Sequence, residues 1–271
     1  MNKTLLLLLT LSVSLLAYSD SDMDGVDDKL DQCPNTPFSE LVDINGCTTK
    51  YLESPHHFDI ILGIDYSQKS YTTLEDTDVT SKSIQMDYYY KNFSLQAATS
   101  YYNSDSIIYS SDGMNDSFLG AYYKLNPVEN LSVRLGVGVI LPTYDTDLNN
   151  NNTDYTSSLS LSYMLDNVNI FGGYSYTIIN DDDIKTVTPI LYQNTNSYNA
   201  GVGFYPSSKV YVSASYNSSD SIYKGIDDID TASFYLFYSI DSNWFTTLNY
   251  AYGLSDTASD NYAAVKIGYY F

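Results

Sequence analysis

From residue 57 onward the chain alternates apolar and polar positions with a period of two. Leu131, Val133, Leu135, Val137 and Val139 form one apolar row, interleaved with Ser132, Arg134, Gly136 and Gly138. Successive side chains of a strand point to opposite faces, so each such row predicts a β-strand with one apolar face. Rows of this kind fall at 58–66, 84–90, 93–101, 119–125, 131–141, 155–165, 168–178, 198–204, 210–216, 234–240, 244–252 and 263–271. The breaks between them take turns in length. Short ones fall at Lys91-Asn92, 126–130, Asp166-Asn167, 206–208 and 241–243, and long polar ones at 67–80, 103–115, 142–153, 179–192, 217–229 and 253–260. Proline removes a ladder donor, and the prolines at 55, 127, 142, 189 and 206 all avoid the apolar rows.

A soluble two-sheet sandwich also alternates. Three features point instead to a membrane. Alternating short and long connections are the habit of transmembrane barrels. Tyr, Phe and Trp crowd the row ends, where amphipathic rings favour the membrane interface. The chain closes on Phe271 after apolar residues at 263, 265, 267 and 269, which resembles the terminal recognition signal of bacterial outer-membrane barrels. Lipid leaves no partner for an unpaired strand edge, so the sheet must close. The expectation is an all-β, antiparallel, up-and-down transmembrane β-barrel of about 12 strands over residues 57–271. Ten or fourteen strands also fit the pattern. An even count puts both termini and the short turns on the periplasmic side of the outer membrane of a Gram-negative bacterium.

Composition sharpens this picture. The 271 residues carry 33 acidic and 12 basic side chains, a net charge of −21, which excludes a nucleic-acid partner for want of a basic footprint. Lys3 followed by the apolar stretch Leu5–Ala17 reads as a signal peptide over residues 1–17. Residues 51–56 form a linker before the barrel.

Residues 18–50 follow other rules. Asp20, Asp22, Asp24, Asp28 and Asp31 occupy loop positions 1, 3, 5, 9 and 12, with the carbonyl of Val26 at position 7 and Gly25 at the sharp turn. Hard oxygen ligands at this spacing wrap a chain around one calcium ion. Position 12 is Asp31, shorter than the usual Glu, and Asp27 is an additional candidate ligand. A solvated acidic spacer is the plainer reading of the same cluster. Cys33 and Cys47 are the only cysteines. In an exported chain they pair as a disulfide, the alternative being two free thiols. The D-x-D-x-D-G-x-x-D-x-x-D run, Cys33-Pro34-Asn35-Thr36-Pro37 and Gly46-Cys47 together resemble a thrombospondin type 3 repeat of the sort found in linkers of outer-membrane protein A relatives. That resemblance implies a small irregular module that binds Ca2+.

Functional chemistry is sparser. Asp59, Asp65, Asp87, Lys91, Lys124, Arg134, Lys209 and Lys266 fall in the polar phase, where charges of both signs line a hydrated lumen. Mutual pairing of these charges, which closes the lumen, is equally compatible with the pattern. The long loops are acidic, with Asp181, Asp182 and Asp183 as one run. Such a rim gathers cations and bridges to lipopolysaccharide through them. Catalysis is not expected. The sole histidines, His56 and His57, precede the first row, far from the long loops. The leading expectation is a narrow porin-like channel for small solutes. The alternative is a non-conducting surface protein that binds surface ligands in cell adhesion or envelope integrity.

Overall fold

All twelve apolar rows lie on β-strands, with only Ile240 and Phe271 just past the ends of theirs. The strands are β1 His56–Gln68, β2 Asp78–Tyr90, β3 Phe93–Asp105, β4 Ser110–Met114, β5 Ser117–Val128, β6 Leu131–Leu141, β7 Asp154–Leu165, β8 Val168–Ile178, β9 Thr195–Ser207, β10 Val210–Ser219, β11 Ile229–Ser239, β12 Trp244–Gly253 and β13 Asn261–Tyr270. The computed structural model describes residues 55–69, 77–106, 110–144, 152–185 and 189–271, with scattered residues between 20 and 47. Two units divide the chain, residues 1–53 and 54–271. The expected signal peptide and most of the 51–56 linker lie outside the described residues.

Each strand pairs antiparallel with its chain neighbours, except that β4 and β5 do not pair with each other, and β1 pairs with both β2 and β13. That last pairing closes the sheet. Phe271 N donates to Phe58 O at 2.9 Å, so the two ends of the barrel meet. Both β4 and β5 pair with β3 and are separated only by Asn115 and Asp116, so they form one interrupted stave. The barrel therefore has twelve staves, and no edge is left for lipid to meet.

The apolar faces point outward. Leu62, Ile64, Val137, Val202 and Val265 are 52, 59, 63, 55 and 55% exposed. Tyr192, Ala258 and Ala264 are the only buried hydrophobic residues among those described. Residues that a sandwich would bury thus face out, and Ser, Thr, Asn and Asp face in. Only a lipid environment makes that arrangement favourable, since apolar area removed from water contributes roughly 25 cal/mol per Å².

Three details depart from the alternation. The expected loop at 103–115 contains β4, which extends the β3 hairpin beyond the apolar band and so carries no apolar row. Pro127 and Pro206 lie inside the last residues of β5 and β9, next to register shifts at Leu125/Val128 and Val210/Val212. A bulge is where a strand tolerates a missing donor. His56 and His57 open β1 instead of preceding it. His56 Nδ1 lies 2.6 Å from Tyr88 Oη, and its ring stacks on Tyr90 at 4.9 Å. His57 stacks on Tyr270 at 5.3 Å.

Candidate functional site

The inward positions form a lumen with two unlike walls. On β1 and β2, Asp59 and Asp87 sit directly opposite each other in register. They are 8 and 7% exposed. Like charges at such a pair repel. Donors hold them in place: Tyr89 Oη donates to Asp59 Oδ2 at 3.1 Å, and Gln85 Nε2 donates to Asp87 Oδ2 at 2.6 Å. Asp59 Oδ1 is buried and accepts no hydrogen bond. On β5 and β6 the situation repeats with the opposite sign. Lys124 opposes Arg134. The Arg134 guanidinium lies 3.7 Å from the Tyr122 ring centre, a cation–π contact. Tyr122 Oη in turn donates to Gln96 Oε1 at 3.0 Å. Asp65 opposes Ser81 on β2 and Ala264 on β13, two positions from Lys266.

Acidic and basic pairs thus occupy separate staves. Among the described residues, no ion pair within 4.0 Å joins Asp59, Asp65, Asp87, Lys124, Arg134 or Lys266 to an opposite charge. The salt bridge found is Lys69–Asp260, 3.4 Å, at the long-loop end. Lys91 and Lys209 lie between strands rather than on them. Lys91 adopts φ 52° in the β2–β3 turn, with Nζ 5.4 Å from the Tyr90 ring centre. Lys209 Nζ donates to the Ile240 carbonyl at 3.3 Å in the β9–β10 turn region. Both belong to the short-turn mouth. A cavity of about 380 Å³ there is lined by Tyr89, Lys91, Lys124 and Arg134.

From β8 to β12 the inward positions carry Ser, Thr, Asn, Gly and aromatic residues, with Ile229 and Ala251 besides, and no charge. Sequence reading missed the aromatics, because they share the polar phase. Phe171, Tyr211 and Phe245 each rest over a glycine of a neighbouring strand. A Cβ added at Gly201 would come within 2.5 Å of Phe171 Cζ, one at Gly203 within 2.5 Å of Tyr211 Cζ, and one at Gly268 within 2.5 Å of both Phe245 Cε atoms. Cross-strand register provides the signal: Phe171 pairs with Gly201, Phe245 with Gly268 and Tyr122 with Gly136. The missing Cβ leaves room for a ring to lie against the wall rather than project across the lumen.

Outside, tyrosines form a girdle at the long-loop end. Tyr66 Oη donates to Asp78 at 2.7 Å, Tyr174 to Asn196 at 2.7 Å, Tyr216 to Asp230 at 2.8 Å and Tyr250 to Asn261 at 2.6 Å. Tyr101 makes the same bond to Asp112. Each ring keeps its body in the apolar band and its hydroxyl on a polar partner, as interface residues do. Beyond the girdle the acidic loops knit together. Lys224 N donates to Leu191 O at 2.8 Å, and Tyr192 packs on Tyr223 with ring centres 5.6 Å apart. Burial lifts the Tyr192 hydroxyl to about 12.

In the N-terminal unit Cys33 and Cys47 form a disulfide, with Cα atoms 4.9 Å apart. Thr36 ties the module together. Its amide donates to Asp22 Oδ2 at 2.6 Å, and its hydroxyl lies 2.8 Å from Cys33 O and 2.9 Å from Gly46 O. Cys33 N donates to Asp31 Oδ1 at 2.8 Å. Asp24 lies outside the described residues, among which no group of three or more His, Cys, Asp or Glu side chains is placed to hold a metal.

No family model and no curated relative matches the chain. Solved structures do. An outer-membrane channel from Pseudomonas putida F1 superposes with a TM-score of 0.62 at 10% identity, covering 82% of this chain and 97% of that one. The KdgM porin gives a TM-score of 0.54 at 12% identity, over 79% of this chain and 99% of that one. The NanC porin gives 0.51 at 14% identity, over 79% and 98%. The likeness is one of fold: the chain has the architecture of an outer-membrane porin barrel.

Proposed function

We propose that this protein is an outer-membrane channel for small hydrated solutes, with both chain ends of the barrel and the short turns in the periplasm. The observation that carries the reading is the state of the lumen charges. Asp59, Asp65, Asp87, Lys124, Arg134 and Lys266 face inward, yet none forms an ion pair with an opposite charge among the described residues. Charges that closed the lumen would pair across it. Asp59 and Asp87 are buried among donors, but Lys124 and Arg134 are exposed to the lumen, and exposed unpaired charges there need water and so an aqueous passage. Aromatic rings folded over glycines keep that passage clear. The net charge of −21 and the acidic loops favour cations at the mouth. The same loops, through divalent ions, supply contacts to lipopolysaccharide. Osmotic swelling tests the reading. Proteoliposomes carrying the folded barrel swell in isosmotic small solutes, whereas a closed barrel leaves them at the rate of empty vesicles.

The N-terminal unit carries a second role in this reading, as a calcium-binding module. Asp22 Oδ2 accepts the Thr36 amide, while its Oδ1 is buried with no hydrogen-bond donor. A buried carboxylate oxygen without a donor suits a hard cation. Asp20, Asp22, Asp24, the Val26 carbonyl, Asp28 and Asp31 are the ligands we assign. The disulfide and Thr36 hold the chain beside them. Calorimetry of the full-length protein gives saturable heat with calcium, and Asp22→Asn removes it. Equal heat from the variant would refute the assignment.

A further inference from the structure

At the short-turn mouth three cations face one space, the cavity of about 380 Å³ that Lys91, Lys124 and Arg134 line together. No acidic residue lines it, while Ser94, Ser132 and Ser160 supply hydroxyls. All three cations are exposed. Lys124 and Arg134 stand directly opposite each other in the β5–β6 ladder. Like charges at such a pair repel. Among the described residues neither head group has a hydrogen-bond or ion-pair partner, and Lys91 Nζ has only the Tyr90 ring, 5.4 Å from its centre. The acids of this end do not answer that charge. Asp59 and Asp87 are buried on β1 and β2, where Tyr89 and Gln85 donate to them.

Arg134 is also held in place. Its guanidinium lies 3.7 Å from the Tyr122 ring centre. Tyr122 in turn is fixed twice. Its hydroxyl donates to Gln96 Oε1 at 3.0 Å, and its ring lies over Gly136, where an added Cβ would come within 2.5 Å of Tyr122 Cδ1. A guanidinium positioned by a ring contact keeps its N–H groups for an acceptor, and their fork matches the oxygens of phosphate and carboxylate. An oxyanion between Lys124 and Arg134 replaces their repulsion with two attractive contacts. Lys91 on the same cavity adds a third positive charge, which suits a group with more than one negative charge. A phosphate monoester has both the oxygens and that charge. The cavity is of the size that small-molecule sites have.

We propose that this mouth is a binding site for phosphorylated small solutes, the phosphate held between Arg134 and Lys124 with Lys91 beside it. The proposal rests on the channel reading for passage of the solute, but its binding step is tested separately. Calorimetry of the full-length protein refolded in detergent, with folding shown by heat-shifted gel mobility, uses glucose 6-phosphate as probe in calcium-free buffer. Glucuronate and glucose are its singly charged and neutral counterparts. Single-channel recording with the same probes follows. Glucose 6-phosphate binds saturably and interrupts the current, glucuronate binds more weakly, and glucose gives no saturable heat. Arg134→Gln weakens glucose 6-phosphate by about tenfold. Lys124→Gln acts in the same direction, and since each change ends a like-charge opposition, both variants fold. Lys224→Gln, in the connection between β10 and β11 at the long-loop end, leaves binding unchanged. A conducting barrel with no saturable binding of glucose 6-phosphate overturns the site and leaves the channel standing. Saturable binding by a barrel that does not conduct supports the site and overturns the channel. Glucuronate or glucose bound as tightly as glucose 6-phosphate, or an equal loss on Lys224→Gln, also overturns the site.

Discussion

Gly268 on β13 faces Phe245 on β12 directly across the ladder. An added Cβ would come within 2.5 Å of both Cε atoms of that ring, and the nearest atoms it meets all belong to the ring. Phe245 Cζ is nearer still, at 2.1 Å, and ordinary carbon contacts lie at about 3.5–4.0 Å, so the ring must lift by about 1.4 Å or more. Phe245 also stacks on Phe237, ring centres 5.5 Å apart, so lifting it disturbs a second ring. Overpacking of this kind costs about 1–3 kcal/mol. Without the ring, Gly→Ala in an extended strand reduces unfolded-state entropy and stabilises by about 0.4–1 kcal/mol. The sign of Gly268→Ala should therefore invert with background: destabilising in the natural protein, stabilising in Phe245→Ala. Urea unfolding in lipid vesicles reads this through Trp244, the single tryptophan, which sits beside the site. Equal destabilisation in both backgrounds would refute the seating of the ring on the glycine.

Three further outcomes follow from the turns, the loops and the module. Asp241 Oδ1 accepts the amides of Asn243 at 2.9 Å and Trp244 at 2.8 Å, and these donors hold its carboxyl below the ordinary 3.8. Its contribution is present above the ordinary value and lost as pH falls through the lowered one, so Asp241→Ala should lower the urea midpoint at neutral pH and remove that part of the acid sensitivity. Asp181 behaves oppositely: burial first, and then the charges of Asp154, Asp116 and Asp182, raise its carboxyl, against the Asn152 amide that donates to it. The folded loop then binds more protons than the unfolded one, so protection of the Asn152 amide from hydrogen exchange should rise on acidification above the ordinary carboxylate range, and Asp181→Asn should flatten the response. Breaking the Cys33–Cys47 bond opens a loop with a sequence separation of 14. Loss of about 3 kcal/mol of module stability is expected, and the double serine variant should be cut by protease in residues 18–50 while the barrel stays intact.

The barrel was legible in the sequence because lipid and lumen impose opposite demands on alternate residues. Leu131, Val133 and Leu135 cannot exchange faces with their neighbours without exposing Arg134 to lipid, so the pattern of Leu131–Leu141 fixes its own orientation. Beyond the apolar band that demand lapses, and β4, a strand of Ser, Asp, Gly and Met, shows no row to read. The lumen was legible in part. Asp59, Asp87, Lys124, Arg134 and Lys266 sit on strands in the inward phase, whereas Lys91 and Lys209 share that parity only in counting, since a turn breaks the period between strands. The aromatic lining was hidden because Phe171 and Phe245 stand where polar residues are expected. Their glycine partners become visible only once cross-strand register is known.

Single-channel current through the folded barrel in a planar bilayer, under a potassium chloride gradient, tests the central claim most directly. The account predicts discrete steps and a reversal potential on the cation side, displaced when Asp59 and Asp87 are both changed to asparagine. A barrel with heat-shifted gel mobility that inserts and passes no current would contradict it.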